Sequence, residues 1–272
     1  MSADKQYTVE NLEARMRSIM GIWHRGTHQG NDSNPGNTLE SLLGISENNL
    51  RIPDFGKIEI KVYESEGSSL LTLFHKEPLP RATVPKLLKA CGWKHQEAGK
   101  RYKKDEKSFR STTYSHRYTV RGFTIGLTAD RIEFVFNPLK IGMKEADETG
   151  VYRTYGAWFN DINGRKNPHF SDVFKNHSPH WDRAKFSEVL RAKLDNTLCC
   201  IYEERKVDTR EEFKYIRGYL FSGFLEEKLE KLFGSGDVCI DFDARTRHNH
   251  GTKLRIDYTA LPHLFAKSKQ LF

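Results

Sequence analysis

Cysteine is scarce: the chain has four, Cys91, Cys199, Cys200 and Cys239, with two of them adjacent and none in a Cys-x-x-Cys pair. That spacing excludes a disulfide framework or a zinc ribbon and fits an intracellular, reducing setting. Long apolar runs are missing as well. Mean hydropathy is −0.68, and no stretch approaches the ~20 apolar residues a membrane-crossing helix needs. The opening Met1-Ser-Ala-Asp-Lys-Gln6 carries no signal-peptide apolar region. Internal repeats and long low-complexity linkers are absent too, which argues against a solenoid or a tethered array. Acidic charge is in deficit, with 36 Asp and Glu against 44 Lys and Arg, a formal balance of +8. The excess favours a polyanionic partner, although many basic proteins have none. At 272 residues the chain is long enough for one large core or two lobes.

Apolar periodicity indicates a mixed α/β (α+β) protein. Val9, Leu12, Met16, Ile19, Met20 and Trp23 recur at helical spacing over 8–23. A Gly-, Asn- and Ser-rich loop covers 24–37, and a short helix covers 38–45. Strands are expected at 57–64 and 69–75, joined by a hairpin-like turn at Glu64–Ser68. A helix follows near Thr83–Cys91, then three strands between 108 and 137. Residues 138–180 have weak periodicity. Helices at 182–195 and 222–233, the latter capped by Ser222, and strands at 198–206, 236–243 and 252–258 complete the reading.

One short stretch concentrates chemistry: Pro53-Asp54-Phe55-Gly56-Lys57-Ile58-Glu59-Ile60-Lys61. Ile58, Ile60 and Val62 alternate with Glu59, Lys61 and Tyr63, the period of a strand with one buried face. Glu59 and Lys61 therefore share a face, and the Phe-Gly turn lets Asp54 fold back toward Glu59. Two carboxylates can hold a hard divalent cation, and a neighbouring ammonium can orient a water or offset phosphate charge. Glu-x-Lys on a strand is common, so an ordinary solvated edge remains open. Asp208-Thr-Arg-Glu-Glu212-Phe-Lys214 has nearly the same letters, but no proline-initiated turn precedes its acid, and it reads as a solvated charged run. Glu40, on the short preceding helix, could add a third carboxylate or simply face water.

A second stretch, Asp241-Phe-Asp243-Ala-Arg245-Thr-Arg247-His248-Asn-His250-Gly-Thr-Lys253-Leu-Arg255, is dense in groups that hydrogen-bond to base edges. Its expected setting is two strands around a glycine-containing turn. A solvated charged hairpin, a His248/His250 metal pair and an HNH nuclease motif are the alternatives. Basic, aromatic Lys94–Arg121 could track phosphates or form plain surface.

Taken together, Asn37–Gly44, Pro53-Asp54-x4-Glu59-Ile-Lys61, Leu71–Pro78 and Asp243-Ala-Arg245 through His248-Asn-His250-Gly and Arg255 resemble the MvaI/BcnI family of restriction endonucleases. The resemblance implies a PD-(D/E)xK nuclease core, a central mixed sheet flanked by helices, with a DNA-recognition lobe and a cleft for duplex DNA. It implies Mg2+-dependent type II cleavage at short, nearly palindromic C/G-rich sites. By position, Asp54 and Glu59 are the implied metal ligands, Lys61 the water-positioning lysine and Glu40 an auxiliary acid. Asp243, Arg245, His248, His250 and Arg255 are the implied major-groove readers, with His75 a weaker candidate. A monomer that nicks the strands in turn, a bacterial cytoplasmic location and a companion methyltransferase are also implied. The expected division is 1–137 as catalytic core and 138–272 as recognition lobe with the remaining core elements. A mismatch-repair-type nickase and a DNA-binding protein with an inactive core are the rival readings.

Overall fold

The computed structural model describes residues 7–30, 33–45, 53–67, 69–142, 155–164, 170, 172–176 and 178–272. Met1–Gln6, Ser68 and much of the weakly periodic 138–180 stretch lie outside the described residues. No described helix is long and apolar enough to cross a membrane. The chain divides into two compact units, each built from separate segments. The first comprises Met1–Leu71, Ser187–Lys228 and Asp257–Phe272; the second comprises Thr72–Phe186 and Leu229–Ile256.

In the first unit, helices α1 (Val9–Ile19) and α2 (Asn34–Leu42) pack on a mixed sheet. Thr8 caps α1 by accepting from the Asn11 amide, and Pro35 sits in the first turn of α2, where a missing amide proton costs little. The sheet runs β1 (Trp23–Arg25), β10 (Arg210–Phe224), β9 (Asn196–Val207), β2 (Glu59–Glu64), with β13 (Phe265–Gln270) also on β10. All pairs are antiparallel except β2 with β9. Leu12, Met16, Ile19 and Leu39 bury against Ile58, Ile60, Leu198, Phe213 and Tyr215. Two helices, α3 (Thr83–Cys91) and α4 (Tyr155–Gly164), come next in chain order, and helix α5 (Arg183–Leu194) leads directly into β9.

The second unit holds two sheets. One runs β3 (Leu71–His75), β12 (His248–Ile256), β11 (Val238–Arg245), β5 (Lys107–Thr113), β4 (Trp93–Lys94); the other runs β6 (Arg121–Leu127), β7 (Arg131–Ile141), β8 (His180–Asp182). Between them lies an aromatic core in which Phe109 meets Phe123, Phe134 and Phe242 edge-on, at centroid separations of 5.5–6.0 Å. Such geometry suits ring quadrupoles and adds to the area buried.

Several expectations need correction. Strands β2 and β3 do not form a hairpin: β2 pairs with β9 in one sheet, β3 with β12 in another. The supposed charged run after Asp208 opens the 15-residue β10, the centre of the first sheet. Its alternation buries Phe213 and Tyr215 while Glu212 and Lys214 face outward, so a charged spelling hides a strand with one apolar face. Ser222 belongs to that strand, paired with Asn196 and Lys267, so the following helix starts at Glu226. The sheet of β2 is completed by β9, β10 and β13 from late in the chain, and each compact unit draws on segments from both sides of residue 137.

Candidate active site and recognition face

The turn before β2 is closed by two backbone bonds, Phe55 N to Ile58 O at 2.8 Å and Ile58 N to Phe55 O at 2.9 Å. Gly56 sits at φ +63°, and a Cβ there would lie 2.7 Å from the Tyr7 Cβ. Only glycine suits that backbone and that close approach. The turn carries Asp54 back alongside the strand, where its Oδ2 accepts from the Ile60 amide at 2.9 Å.

Glu59 and Lys61 project from the same side of β2, and Lys61 Nζ donates to Glu59 Oε1. The alternative of an ordinary solvated edge is not what surrounds the glutamate. Its side chain is 1% exposed. A second ammonium, Lys193 from the last turn of α5, stands 3.1 Å from the same Oε1. Burial pushes the Glu59 carboxyl above its ordinary value; Lys61 and Lys193 oppose that shift, and nearby Asp54 adds to it. The other oxygen, Oε2, is buried and takes no hydrogen bond. A buried carboxylate oxygen without a donor costs free energy unless something fills the gap. A cleft of about 380 Å3 opens beside the turn, lined by Pro53, Gly56, Lys57, Arg191, Asp195 and Asn196.

Glu40 lines a smaller cleft with Thr27, His28, Asn37, Ser41 and Ile45. Among the described residues no group of three or more His, Cys, Asp or Glu converges as a metal site. Asp54 and Glu59 are thus brought together without a third acid. Two carboxylates still suit a small hard cation such as Mg2+, which keeps several waters of its own, and the partnerless Glu59 Oε2 is the oxygen such an ion would satisfy. Lys193 escaped sequence reading because nothing near it in the chain hints at β2.

In the second unit, β11 and β12 form an antiparallel pair whose burial alternates over Ile240–Arg245 and Thr252–Ile256. Ile240, Phe242 and Ala244 with Thr252, Leu254 and Ile256 face the core, so Asp241, Asp243 and Arg245 with Lys253 and Arg255 share the opposite face. The tight turn is not at the glycine: it is Thr246–Arg247, with Arg247 at φ +63°, while Gly251 lies within β12 at φ +89°. There the Glu77 carboxylate accepts from the Thr252 amide at 2.8 Å and the Asn249 side chain at 3.3 Å, holding the irregular strand.

The polar face is a set of opposite-charge pairs. Asp243 accepts from Arg110 at 2.8 Å and faces Lys253 at 3.4 Å. Asp241 accepts from Thr112 at 2.9 Å and from Arg255 at 3.3 Å. Arg245 bonds Glu106 at 3.3 Å and lies 4.6 Å over the Tyr102 ring. His248 and His250 are exposed and meet edge-on at 4.1 Å between centroids. Arg110 and Thr112 on β5 were missed from the sequence, and only the register Asp243↔Arg110 and Asp241↔Thr112 places them here.

The first unit is thus a mixed α/β core that sets Asp54, Glu59 and Lys61 on one strand and its turn. In structure the chain is similar to the restriction endonuclease MvaI–cognate DNA substrate complex, with a TM-score of 0.73 at 22% identity over 100% of both chains. It is also similar to restriction endonuclease MvaI in the absence of DNA, at a TM-score of 0.48 and 22% identity over 100% of both chains. No curated protein sequence matches it. Residues 13–265 match the MvaI/BcnI restriction endonuclease family, and the chain belongs to that family. It is a type II site-specific DNA endonuclease.

Proposed function

We propose that this enzyme cleaves duplex DNA at a short, nearly palindromic C/G-rich site with Mg2+. Asp54 and Glu59 hold the ion, and the buried Glu59 Oε2 without a hydrogen-bond partner carries this reading. When bound, the cation supplies the Lewis acid and lowers the pKa of the attacking water. Lys61 orients that water and offsets charge at the phosphate. In-line attack forms a new P–O bond and breaks the bond to O3′, leaving 5′-phosphate and 3′-hydroxyl ends. Glu40 stays an auxiliary acid at most, since it is not gathered into a three-acid cluster.

Recognition falls to the face of β11 and β12. Arg245 and Arg255 suit guanine O6 and N7, Asp243 suits cytosine N4, and His248 and His250 stand exposed beside them. Each arginine and aspartate is already paired within the protein, so its position is set before DNA arrives. With one catalytic constellation among the described residues, a monomer that nicks one strand, reorients and nicks the other completes a double-strand cut. A companion methyltransferase then protects the host genome without a stable contact.

A supercoiled plasmid time course with Mg2+ tests this. The expected sequence is open circle, then linear, with fragment ends mapping to one short motif. A reaction that stops at open circle identifies a mismatch-repair-type nickase. Retardation of DNA that stays uncut with Mg2+ or Mn2+ identifies an inactive-core binding protein.

A further inference from the structure

The Glu59 carboxylate is held asymmetrically. Lys61 and Lys193 both engage Oε1, while Oε2 is buried and takes no hydrogen bond. The torsion that turns a glutamate carboxylate is soft, so without an anchor the group would swing readily. Two ammoniums converge on one oxygen, and one contact is enough to orient it.

The two lysines differ in where they stand. Lys61 is two residues from Glu59 on the same strand, and its side chain is 14% exposed. Lys193 comes from the last turn of α5, whose chain continues through Asp195 into β9, the strand paired directly with β2. Glu59 lies opposite Thr197 in that pairing. The base of Lys193 is therefore fixed by the same sheet that fixes Glu59. The carbonyl end of a helix also favours a cation in its last turn.

We propose that Lys193 is a positioning residue of the nuclease site. It pins Glu59 through Oε1, keeping Oε2 presented to the cation that Asp54 shares. Lys61 is thereby released to serve the attacking water or the phosphate. The inference rests on the nuclease reading above and adds a division of labour between two lysines that share one oxygen.

The test uses Lys193→Met and Lys193→Arg, each alone and combined with Glu59→Gln. Lys193→Gln stands in if the methionine variant does not fold. Each protein is melted without divalent ions, assayed for cleavage with Mg2+, and titrated with cognate duplex in Ca2+ at several salt concentrations. The Met variant should lose kcat by about 10- to 100-fold with KM little changed, the usual size of effect when a ligand's support is removed. Arginine should restore most of the rate. The drop in melting temperature on Lys193→Met should vanish in the Glu59→Gln background, where no carboxylate is left to pin. The salt dependence of DNA binding should match the wild type. Wild-type turnover in the Met variant overturns the inference, whatever its melting point. So does a salt slope shallower by about one, which would make Lys193 a phosphate contact. If the wild type itself cuts no duplex, the nuclease reading falls first and takes the inference with it. If the wild type cuts and the Met variant cuts equally well, the inference falls alone.

Discussion

The acidic site on β2 and the polar face of β11 and β12 use the same residue types in opposite ways. On β2 one carboxylate is sealed from solvent, shares one oxygen with two ammoniums and leaves the other unsatisfied. On β11, Asp241 and Asp243 are partly exposed, and each spreads two bonds over two partners. Burial makes the first arrangement costly, a cost that the proposed cation would offset. Exposure makes the second cheap, since surface pairs are worth about 0–1 kcal/mol and exchange readily for other partners. Chemistry on a phosphate needs groups fixed in advance in a dry site. Reading bases needs groups aimed in advance but free to change partner.

The largest effect expected from this contrast is at Lys61. Lys61→Ala should lower single-turnover cleavage by roughly 10^3-fold or more, with duplex binding in Ca2+ changed only a few-fold. Retained cutting would transfer the working role to another lysine and erase the difference between the two regions.

Arg245→Ala comes next. Loss of a bidentate base contact costs ~1–3 kcal/mol, about 5- to 150-fold in affinity. Gel-shift titrations should show that loss on cognate DNA and little on random duplex; equal loss on both would make Arg245 a phosphate contact. Arg110→Ala should follow the same pattern more weakly, because Arg110 would act by fixing Asp243.

Gly56→Ala tests whether the turn matters to chemistry as well as to folding. A non-glycine residue in the left-handed region costs ~1–2 kcal/mol, and the added Cβ would press on Tyr7 at 2.7 Å. A melting point lowered by several degrees, with cleavage falling further than the unfolded fraction explains, is the expected outcome. A stable variant with full activity would show that Asp54 does not depend on this turn.

The smallest effect is at His250. Partial desolvation of the ring holds its pKa below the ordinary 6.5; Asp243 opposes that shift, and His248, Arg110 and Lys253 add to it. The unfolded chain therefore takes up the proton first, and the stability present above the ordinary value is lost as pH falls through the folded one. Melting curves between pH 7 and pH 5 should show a slightly flatter decline for His250→Gln. An unchanged slope would mean the lowered value has no weight in stability.

How much was legible in advance follows from chain distance. Asp54, Glu59 and Lys61 fall within eight positions, so strand alternation and one glycine turn suffice to bring them together. Strand β10 was invisible for a local reason: Arg210, Glu211 and Glu212 disguise its outward face, and only partners on both sides reveal it as the sheet's centre. Ser222 looked like a cap because nothing nearby shows that Asn196 and Lys267 already claim its backbone.

The sequence alone determined how Asp54, Glu59 and Lys61 are grouped at β2 and how charged and apolar residues alternate along β11 and β12, because these depend on periods of two residues and on turn chemistry. Tertiary structure decided everything that depends on which distant strand lies alongside. It placed β2 next to β9 rather than β3, brought Lys193 onto Glu59, and set Arg110 against Asp243. Sheet register is fixed by the packing of whole faces, and no local pattern carries that information.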